Sequence, residues 1–235
     1  MAVPPLTARA APAAAPANAL ALLLACALLP ASFLLRAQAV NLDVSVTTPD
    51  GQPVADAVVV AMPVDAAALA GAKPHAGQID QVDKEFVPKV KAVFVGSSVS
   101  FPNKDNVRHH VYSFSPAKRF ELPLYAGVPA QAVVFDRPGV VALGCNIHDW
   151  MVGYVYVSES PWFATTGTDG KASLAVPARA YVMRVWHPQM AGEEAATRRT
   201  IDATGAAMTL AWQVAMKPEV RVRRSPAAPA HGGHY

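Results

Sequence analysis

The sequence Gly144-Cys145-Asn146-Ile147-His148-Asp149-Trp150-Met151 brings a thiol, an imidazole and a thioether into one short segment. The three donors are Cys145, His148 and Met151, in the spacing Cys-x2-His-x2-Met. Thiolate and thioether sulfur are soft ligands that favour copper. A copper ion that cycles between Cu(I) and Cu(II) is typically held by two imidazoles and a thiolate in one plane, with a weak axial methionine. The segment therefore predicts a copper site that lacks one imidazole.

A second segment, residues 101–111, offers the missing imidazole. It contains the adjacent residues His109 and His110, followed by Val111. Neighbouring residues of a strand point to opposite faces, so only one of the two histidines can bind the ion. The alternation of the strand does not decide which one.

The chain around these segments is typical of an all-β protein. Residues 40–46 alternate between apolar and polar with a period of two, which is the pattern of a half-buried strand. Turn residues separate the later apolar runs, and no helical period of useful length follows residue 39. The predicted strands are 40–46, 58–62, 90–95, 99–102, 111–114, 132–135, 140–143, 154–157, 171–176, 181–187, 199–201 and 208–216. Short strands at this spacing predict a sandwich or a barrel.

The middle of the chain resembles the cupredoxins, the type 1 copper proteins of the plastocyanin, pseudoazurin and amicyanin kind. The family pattern of an asparagine, a short turn and His-x-Val matches Asn103, His109 and Val111. The family's Pro-Gly strand before a Cys-x2-His loop matches residues 138–148, and the short gap before Met151 is of the amicyanin type. The stretch also resembles exported proteins labelled methylamine-utilisation proteins.

This resemblance implies a Greek-key sandwich that holds one type 1 copper. The Asn-x5-His spacing favours His109 over His110 as the second imidazole. The implied ligand set is His109, Cys145, His148 and Met151, with His109 and Cys145 in the buried part of the site and the edge of His148 towards solvent. Asn103 matches the family asparagine that helps to hold the ligand loop, a supporting role behind the ligands.

Two flanking segments resemble the halves of a carboxypeptidase regulatory-like, or transthyretin-like, β-sandwich. The first half carries Asp50-Gly51-Gln52-Pro53-Val54, and the second carries Thr168-Asp169-Gly170 and Pro177-Ala178-Arg179-Ala180-Tyr181. An isolated hairpin is marginally stable, so the strands before residue 76 need partners from the second half. We therefore predict a cupredoxin domain at 77–160, inserted in or beside an immunoglobulin-like sandwich formed by 40–76 and 161–217. One enlarged sandwich or two sequential domains are the alternatives.

The N-terminal residues predict an exported protein. Residues 1–39 combine Arg9, an apolar run and Ala37-Gln38-Ala39, which together read as a signal peptide. The alternatives are lipidation at Cys26 and retention as an uncleaved anchor. The run is interrupted by Pro30 and is short for a membrane span, so we expect none after signal removal. Residues 218–235 lack any period and predict a disordered tail.

Removal of a signal leaves Cys145 as the single cysteine in an oxidising compartment, the periplasm. A lone cysteine can also be a small buried hydrophobe, but this one lies between a Pro-Gly strand and a histidine. The mature chain would carry a formal charge of about +1, because Arg9 and Arg36 leave with the signal. No basic surface for nucleic acid is indicated.

Four protein ligands fill the coordination sphere, whereas a catalytic metal usually keeps one position open. We therefore expect outer-sphere electron transfer with a redox partner protein, such as a cytochrome or an oxidoreductase, and no enzyme activity. Two other functions stay open. One is copper binding and delivery without redox turnover, and the other is a structural β protein whose site stays empty.

Overall fold

The computed structural model describes residues 39–129 and 131–218. Within these ranges the chain forms seventeen β-strands and two short 3-10 helices, at Ala66–Leu69 and Glu194–Thr197, and it has no α-helix. The strands are β1 (Ala39–Thr47), β2 (Val58–Pro63), β3 (Ala76–Gln78), β4 (Asp80–Val82), β5 (Glu85–Val87), β6 (Val90–Phe94), β7 (Ser97–Ser100), β8 (His109–Ser115), β9 (Lys118–Tyr125), β10 (Val133–Phe135), β11 (Gly139–Gly144), β12 (Val152–Ser158), β13 (Phe163–Thr165), β14 (Lys171–Pro177), β15 (Arg179–Trp186), β16 (Arg199–Ala203) and β17 (Met208–Gln213). The prediction of an all-β protein is confirmed.

The first sandwich packs a three-stranded sheet, β14-β1-β17, against a four-stranded sheet, β13-β2-β15-β16. Strand β1 lies at the centre of its sheet, antiparallel to β14 and parallel to β17. Its alternating sequence buries Val40, Leu42, Val44 and Val46 on one face, because successive side chains of a strand point to opposite sides. These valines and leucine meet Tyr181 and other residues of β15 in a single apolar core.

The second sandwich is built from residues 76–158, which lie between the two parts of the first. Its larger sheet has the order β6-β12-β11-β8-β9, and its smaller sheet has the order β10-β7-β3. A separate apolar core fills it, with Phe101, Phe135 and Leu143 among its buried residues. Cys145 and Met151 belong to the same core. Two of the predicted copper ligands are therefore buried in this sandwich.

A third apolar layer joins the two sandwiches. Val58 and Val60 of β2 pack with Val90 of β6 and Tyr156 of β12. The ring of Trp186 in β15 also lies 5.4 Å from the ring of Tyr156, measured between centroids. The outer face of the five-stranded sheet is thus covered at β6 and β12 by the first sandwich.

Several predictions from the sequence fall wholly or largely outside the described residues. They are the signal peptide at 1–39, of which only Ala39 is described, with its possible lipidation at Cys26, and the tail at 218–235, of which only Pro218 is described. No helix in the described ranges has both the length and the apolar character needed to cross a membrane. The relation of the first sandwich to the carboxypeptidase regulatory-like family stays a prediction.

Candidate metal centre

The predicted ligands lie together at one end of three neighbouring strands of the larger sheet. His109 is the first residue of β8, Cys145 directly follows β11, and Met151 directly precedes β12. Strands β11 and β12 are antiparallel, so the loop that carries His148 connects them at this end of the sheet. Strand β8 is the other neighbour of β11. The sheet order therefore brings a histidine 36 residues before the cysteine to the same place.

The side chains of His109, Cys145 and His148 converge. The Cys145 Sγ atom lies 3.9 Å from His109 Nδ1 and 3.9 Å from His148 Nδ1. One donor atom from each of the three residues falls within 4.8 Å of the other two. A first-row metal bonded to nitrogen at about 2.0 Å and to sulfur at about 2.3 Å in a trigonal plane separates those two atoms by about 3.7 Å. The three donors therefore fit one ion.

The donors differ in burial. His109 is completely buried, and Cys145 and Met151 are buried with it, whereas His148 is only half-buried. The backbone N–H of Met151 donates to the carbonyl of His148 at 2.9 Å, which closes the loop into a tight turn. Met151 thereby enters the apolar core beside Cys145. The result is a largely buried site with one ligand edge towards solvent.

His109 is oriented by a carboxylate. Its Nε2 atom lies 2.6 Å from Asp105 Oδ2, so Nε2 carries the hydrogen and Nδ1 keeps a free lone pair towards Cys145. His110 points elsewhere, with its Nε2 atom 2.9 Å from Glu121 Oε1. Of the two adjacent histidines, the structure places His109 in the ligand cluster and leaves His110 outside it.

Asp105 was not predicted from the sequence as a functional residue. Its carboxylate also accepts the backbone N–H groups of Asp83 and Lys84, at 2.7 and 2.9 Å. These two residues form the β4–β5 hairpin turn with φ angles of 54° and 62°, the geometry that a two-residue hairpin requires. Burial opposes ionisation of Asp105, but the bonds from His109, Lys84 and Asp83 outweigh it and hold the pKa of the carboxyl below its ordinary value.

Asn103 fixes the loop that leads to His109. Its side-chain amide donates to the carbonyls of Val107 and Tyr125, at 2.8 and 2.9 Å, and its Oδ1 atom accepts the N–H of Asp105 at 2.9 Å. Asn103 itself is buried. The loop between Asn103 and His109 is therefore tied to the end of β9 as well as to the hairpin.

His148 forms the outer edge of the cluster. Its ring centroid lies 5.0 Å from that of His109 and 5.2 Å from that of Trp150. Partial burial, together with nearby His109 and Lys84, lowers the pKa of His148 below its ordinary value. A lowered pKa keeps the imidazole neutral, and therefore able to bind a metal, to a lower pH than a free histidine would allow.

Replacing Asp105 with asparagine is expected to weaken copper binding about 10- to 100-fold. This is the usual effect of losing the carboxylate that accepts a hydrogen bond from a histidine ligand. The asparagine keeps the size of the side chain but loses the charge that holds the His109 ring. Competition with a calibrated chelator measures the affinity. Asp149→Asn, at an exposed position of the ligand loop, is the matched control and should leave the affinity unchanged. Equal affinities of D105N and the original protein would contradict the role given to Asp105.

Three solved structures that are similar to part of this chain are copper proteins. A purple cupredoxin from Nitrosopumilus maritimus matches 35% of this chain and 99% of its own, at 28% identity and a TM-score of 0.31. A copper-containing nitrite reductase from Thermus scotoductus matches 42% of this chain and 25% of its own, at 27% identity and a TM-score of 0.34. An amicyanin variant in its reduced Cu(I) form matches 43% of this chain and 98% of its own, at 22% identity and a TM-score of 0.32.

No protein-family model and no curated protein sequence matches the chain. Each of the three structures is similar to less than half of this chain, and each TM-score is below 0.5. The candidate site is therefore judged by its own geometry.

Proposed function

We propose that this chain is a type 1 copper protein that transfers single electrons to or from a redox partner protein. The observation that carries the proposal is the convergence of His109 Nδ1, Cys145 Sγ and His148 Nδ1 within 4.8 Å, beside the buried thioether of Met151. Two imidazoles, a thiolate and a thioether are the ligand set of electron-transfer copper sites. Bound copper supplies the one-electron couple between Cu(I) and Cu(II).

The chain's own residues fix the positions of the donors. The imidazole of His109 is fixed by Asp105, and the loop before it is fixed by Asn103. Cys145 and Met151 are anchored in the core of the second sandwich. Donors that are held by packing and hydrogen bonds move little when the charge of the site changes, which favours rapid electron transfer.

A full set of protein donors favours electron transfer over catalysis at the metal. A catalytic metal site usually leaves a coordination position for the substrate. Here the fourth donor, Met151, is buried on the core side, and the half-buried His148 is the donor nearest to solvent. We infer that the chain is not an enzyme and that a redox partner, such as a cytochrome or an oxidoreductase, approaches the edge of His148.

The surface beside His148 carries an exposed apolar side chain, which suits a redox partner that binds weakly. Ile147, its neighbour in the loop, has 49% of its surface exposed. Small contact patches are typical of transient redox complexes. We place the protein in the periplasm, on the basis of the signal-like residues 1–39 and the single remaining cysteine.

Voltammetry and copper exchange together test the proposed function against the two alternatives. Electron transfer predicts a reversible one-electron wave and slow loss of copper to a chelator. Copper delivery predicts colourless Cu(I) protein that surrenders its metal within the mixing time. A structural protein with an empty site predicts less than stoichiometric copper after expression in a copper-supplied periplasm. Either of the last two results would overturn the proposal.

Met151→Leu is expected to retain copper and to raise the reduction potential. Leucine has a similar volume and fills the same core position at small cost, whereas it lacks the sulfur that stabilises the oxidised state as a weak axial donor. Voltammetry of the two copper-loaded proteins measures the change. An unchanged potential in the leucine variant would show that Met151 is not a ligand.

A further inference from the structure

A cleft of about 270 Å³ lies at the junction of the two sandwiches, and none of the candidate copper ligands lines it. The first sandwich contributes the turn between β1 and β2 and the segment after β15, and the second contributes the start of β6. Val90, the first residue of β6, belongs to the apolar layer that joins the sandwiches. Sites for drug-sized ligands have volumes of about 300–1,000 Å³, so this cleft suits a smaller molecule. We refer to it as the junction cleft.

His187 is a buried side chain of the junction cleft with an unused hydrogen-bond donor. It directly follows β15, and only 8% of its surface is exposed. Its Nδ1 atom accepts the backbone N–H of Gln189 at 3.1 Å, so the neutral ring carries its hydrogen on Nε2. Burial and the nearby charge of Lys89 lower the pKa of His187 to about 4, which keeps the ring neutral at pH 7. Within the described residues no group accepts the Nε2 hydrogen, which is therefore available to a ligand.

Two opposite charges, those of Lys89 and Asp56, line the same cleft. Lys89 directly precedes β6 and has an exposed side chain, while its backbone carbonyl accepts the N–H of Tyr154 at 2.8 Å. Asp56 is half-buried, and burial raises the pKa of its carboxyl above the ordinary value, against the effect of Lys89. In the part of the chain that the structure describes, neither side chain forms an ion pair. The junction cleft thus offers a cation and an anion that are not joined to each other.

The backbone holds Asp56 in a fixed position. Its φ angle of 58° is uncommon for a residue other than glycine, although aspartate and asparagine adopt it more readily than most. Its backbone N–H donates to the carbonyl of Thr166 at 3.0 Å, and the N–H of Ala57 donates to Thr166 Oγ1 at 2.9 Å. The carboxylate is therefore presented from a rigid turn, and an asparagine at this position would keep the same backbone.

The charges of the junction cleft disfavour a metal ion as its ligand. Lys89 acts electrostatically on both Asp56 and His187, the two side chains that could bind a cation. Among the described residues, the only group of three metal donors is the one at His109, Cys145 and His148. A simple anion would meet the carboxylate of Asp56. A ligand with both a negative and a positive group fits all three side chains.

We propose that the junction cleft binds a small α-amino acid. The carboxylate of the ligand pairs with Lys89 and accepts the Nε2 hydrogen of His187, and its ammonium group pairs with Asp56. Val54 and Val90, both buried, provide an apolar wall for a short side chain. The site lies apart from the metal centre, so the proposal does not depend on the proposed electron transfer.

L-Valine serves as the probe, in titration calorimetry with the full chain. Two analogues of the same size each lack one of its charged groups: isovalerate has no ammonium group, and isobutylamine has no carboxylate. L-Valine is expected to bind, and each analogue is expected to bind about tenfold more weakly, because each loses a charge-assisted hydrogen bond.

Two substitutions assign the two charged groups of the probe. Lys89→Gln is expected to weaken the binding of L-valine about tenfold, until it binds no better than isobutylamine does. Asp56→Asn should weaken it to the level of isovalerate while keeping the backbone of the turn. Lys73→Gln makes the same charge change at an exposed lysine that does not line the cleft, and it should bind L-valine like the original protein. Circular dichroism confirms that the variants are folded.

The proposal is overturned if L-valine does not bind, or if it binds the Lys89 and Asp56 variants as tightly as the original protein. The second result would also follow from binding of the amino acid to copper at the metal centre, which neither substitution touches. Equal affinities for L-valine and isovalerate, with no effect of Asp56→Asn, would make the cleft a simple anion site and would contradict the amino acid as its ligand.

Discussion

Cys145→Ser is expected to abolish the intense visible absorption of the copper-loaded protein and to leave the fold intact. The absorption of a type 1 site arises from charge transfer between the thiolate and Cu(II), and a hydroxyl cannot provide it. Cys145 is 4% exposed, so the buried hydroxyl costs about 1–3 kcal/mol of unfolding free energy. The first sandwich has its own core and is untouched by the change.

Visible spectroscopy after addition of one equivalent of Cu(II) measures this effect, and circular dichroism of the metal-free proteins controls for folding. A serine variant that is folded and colourless is the expected result. Persistence of the intense band in that variant would show that another group supplies the charge transfer. The assignment of Cys145 as a ligand would then be wrong.

Removal of the two adjacent histidines one at a time is expected to give opposite results. His109→Ala should lose the type 1 spectrum, because the buried Nδ1 atom 3.9 Å from Cys145 Sγ disappears. His110→Ala should retain it, because His110 is bound to Glu121 and stands outside the cluster. The two variants remove the same side chain from neighbouring positions, so each controls for the other.

Electron paramagnetic resonance of the copper-loaded variants reads out the result. Narrow hyperfine splitting in the His110 variant and its loss in the His109 variant would match the structure. The reverse pattern would mean that β8 presents its other face to the metal.

The metal centre was accessible to sequence analysis only in part. Cys145, His148 and Met151 lie within one short loop, so their spacing alone predicts that they bind the same ion. The second imidazole comes from another strand, and alternation along β8 treats His109 and His110 alike. Only the pairing of β8 with β11 sets the face, and only the contact with Asp105 sets the ring orientation.

Asp105 illustrates a role that sequence spacing does not reveal. It stands four residues before His109, a spacing that brings side chains together on a helix but not in an irregular loop. Its position depends on the turn at Asp83 and Lys84, which lies more than twenty residues earlier and donates two backbone N–H groups to it. Contacts of this kind depend on the assembled fold.

The strands that escaped prediction are those with the weakest apolar pattern. Strand β9 (Lys118–Tyr125) is an edge strand whose side chains are mostly exposed or half-buried, and it contains Pro123. Proline is tolerated at sheet edges, where one side of the backbone lacks a partner. The β4–β5 hairpin has strands of three residues each, with a charged Asp83-Lys84 turn. Short or exposed strands follow from tertiary pairing more than from local sequence.

The absorption and paramagnetic resonance spectra of the purified protein, loaded with one equivalent of Cu(II), test the central claim most directly. We predict an intense band in the visible region with narrow copper hyperfine splitting, the signature of a copper ion bound by His109, Cys145 and His148. A pale protein with the wide splitting of ordinary square-planar copper, or a protein that takes up no copper, would contradict it.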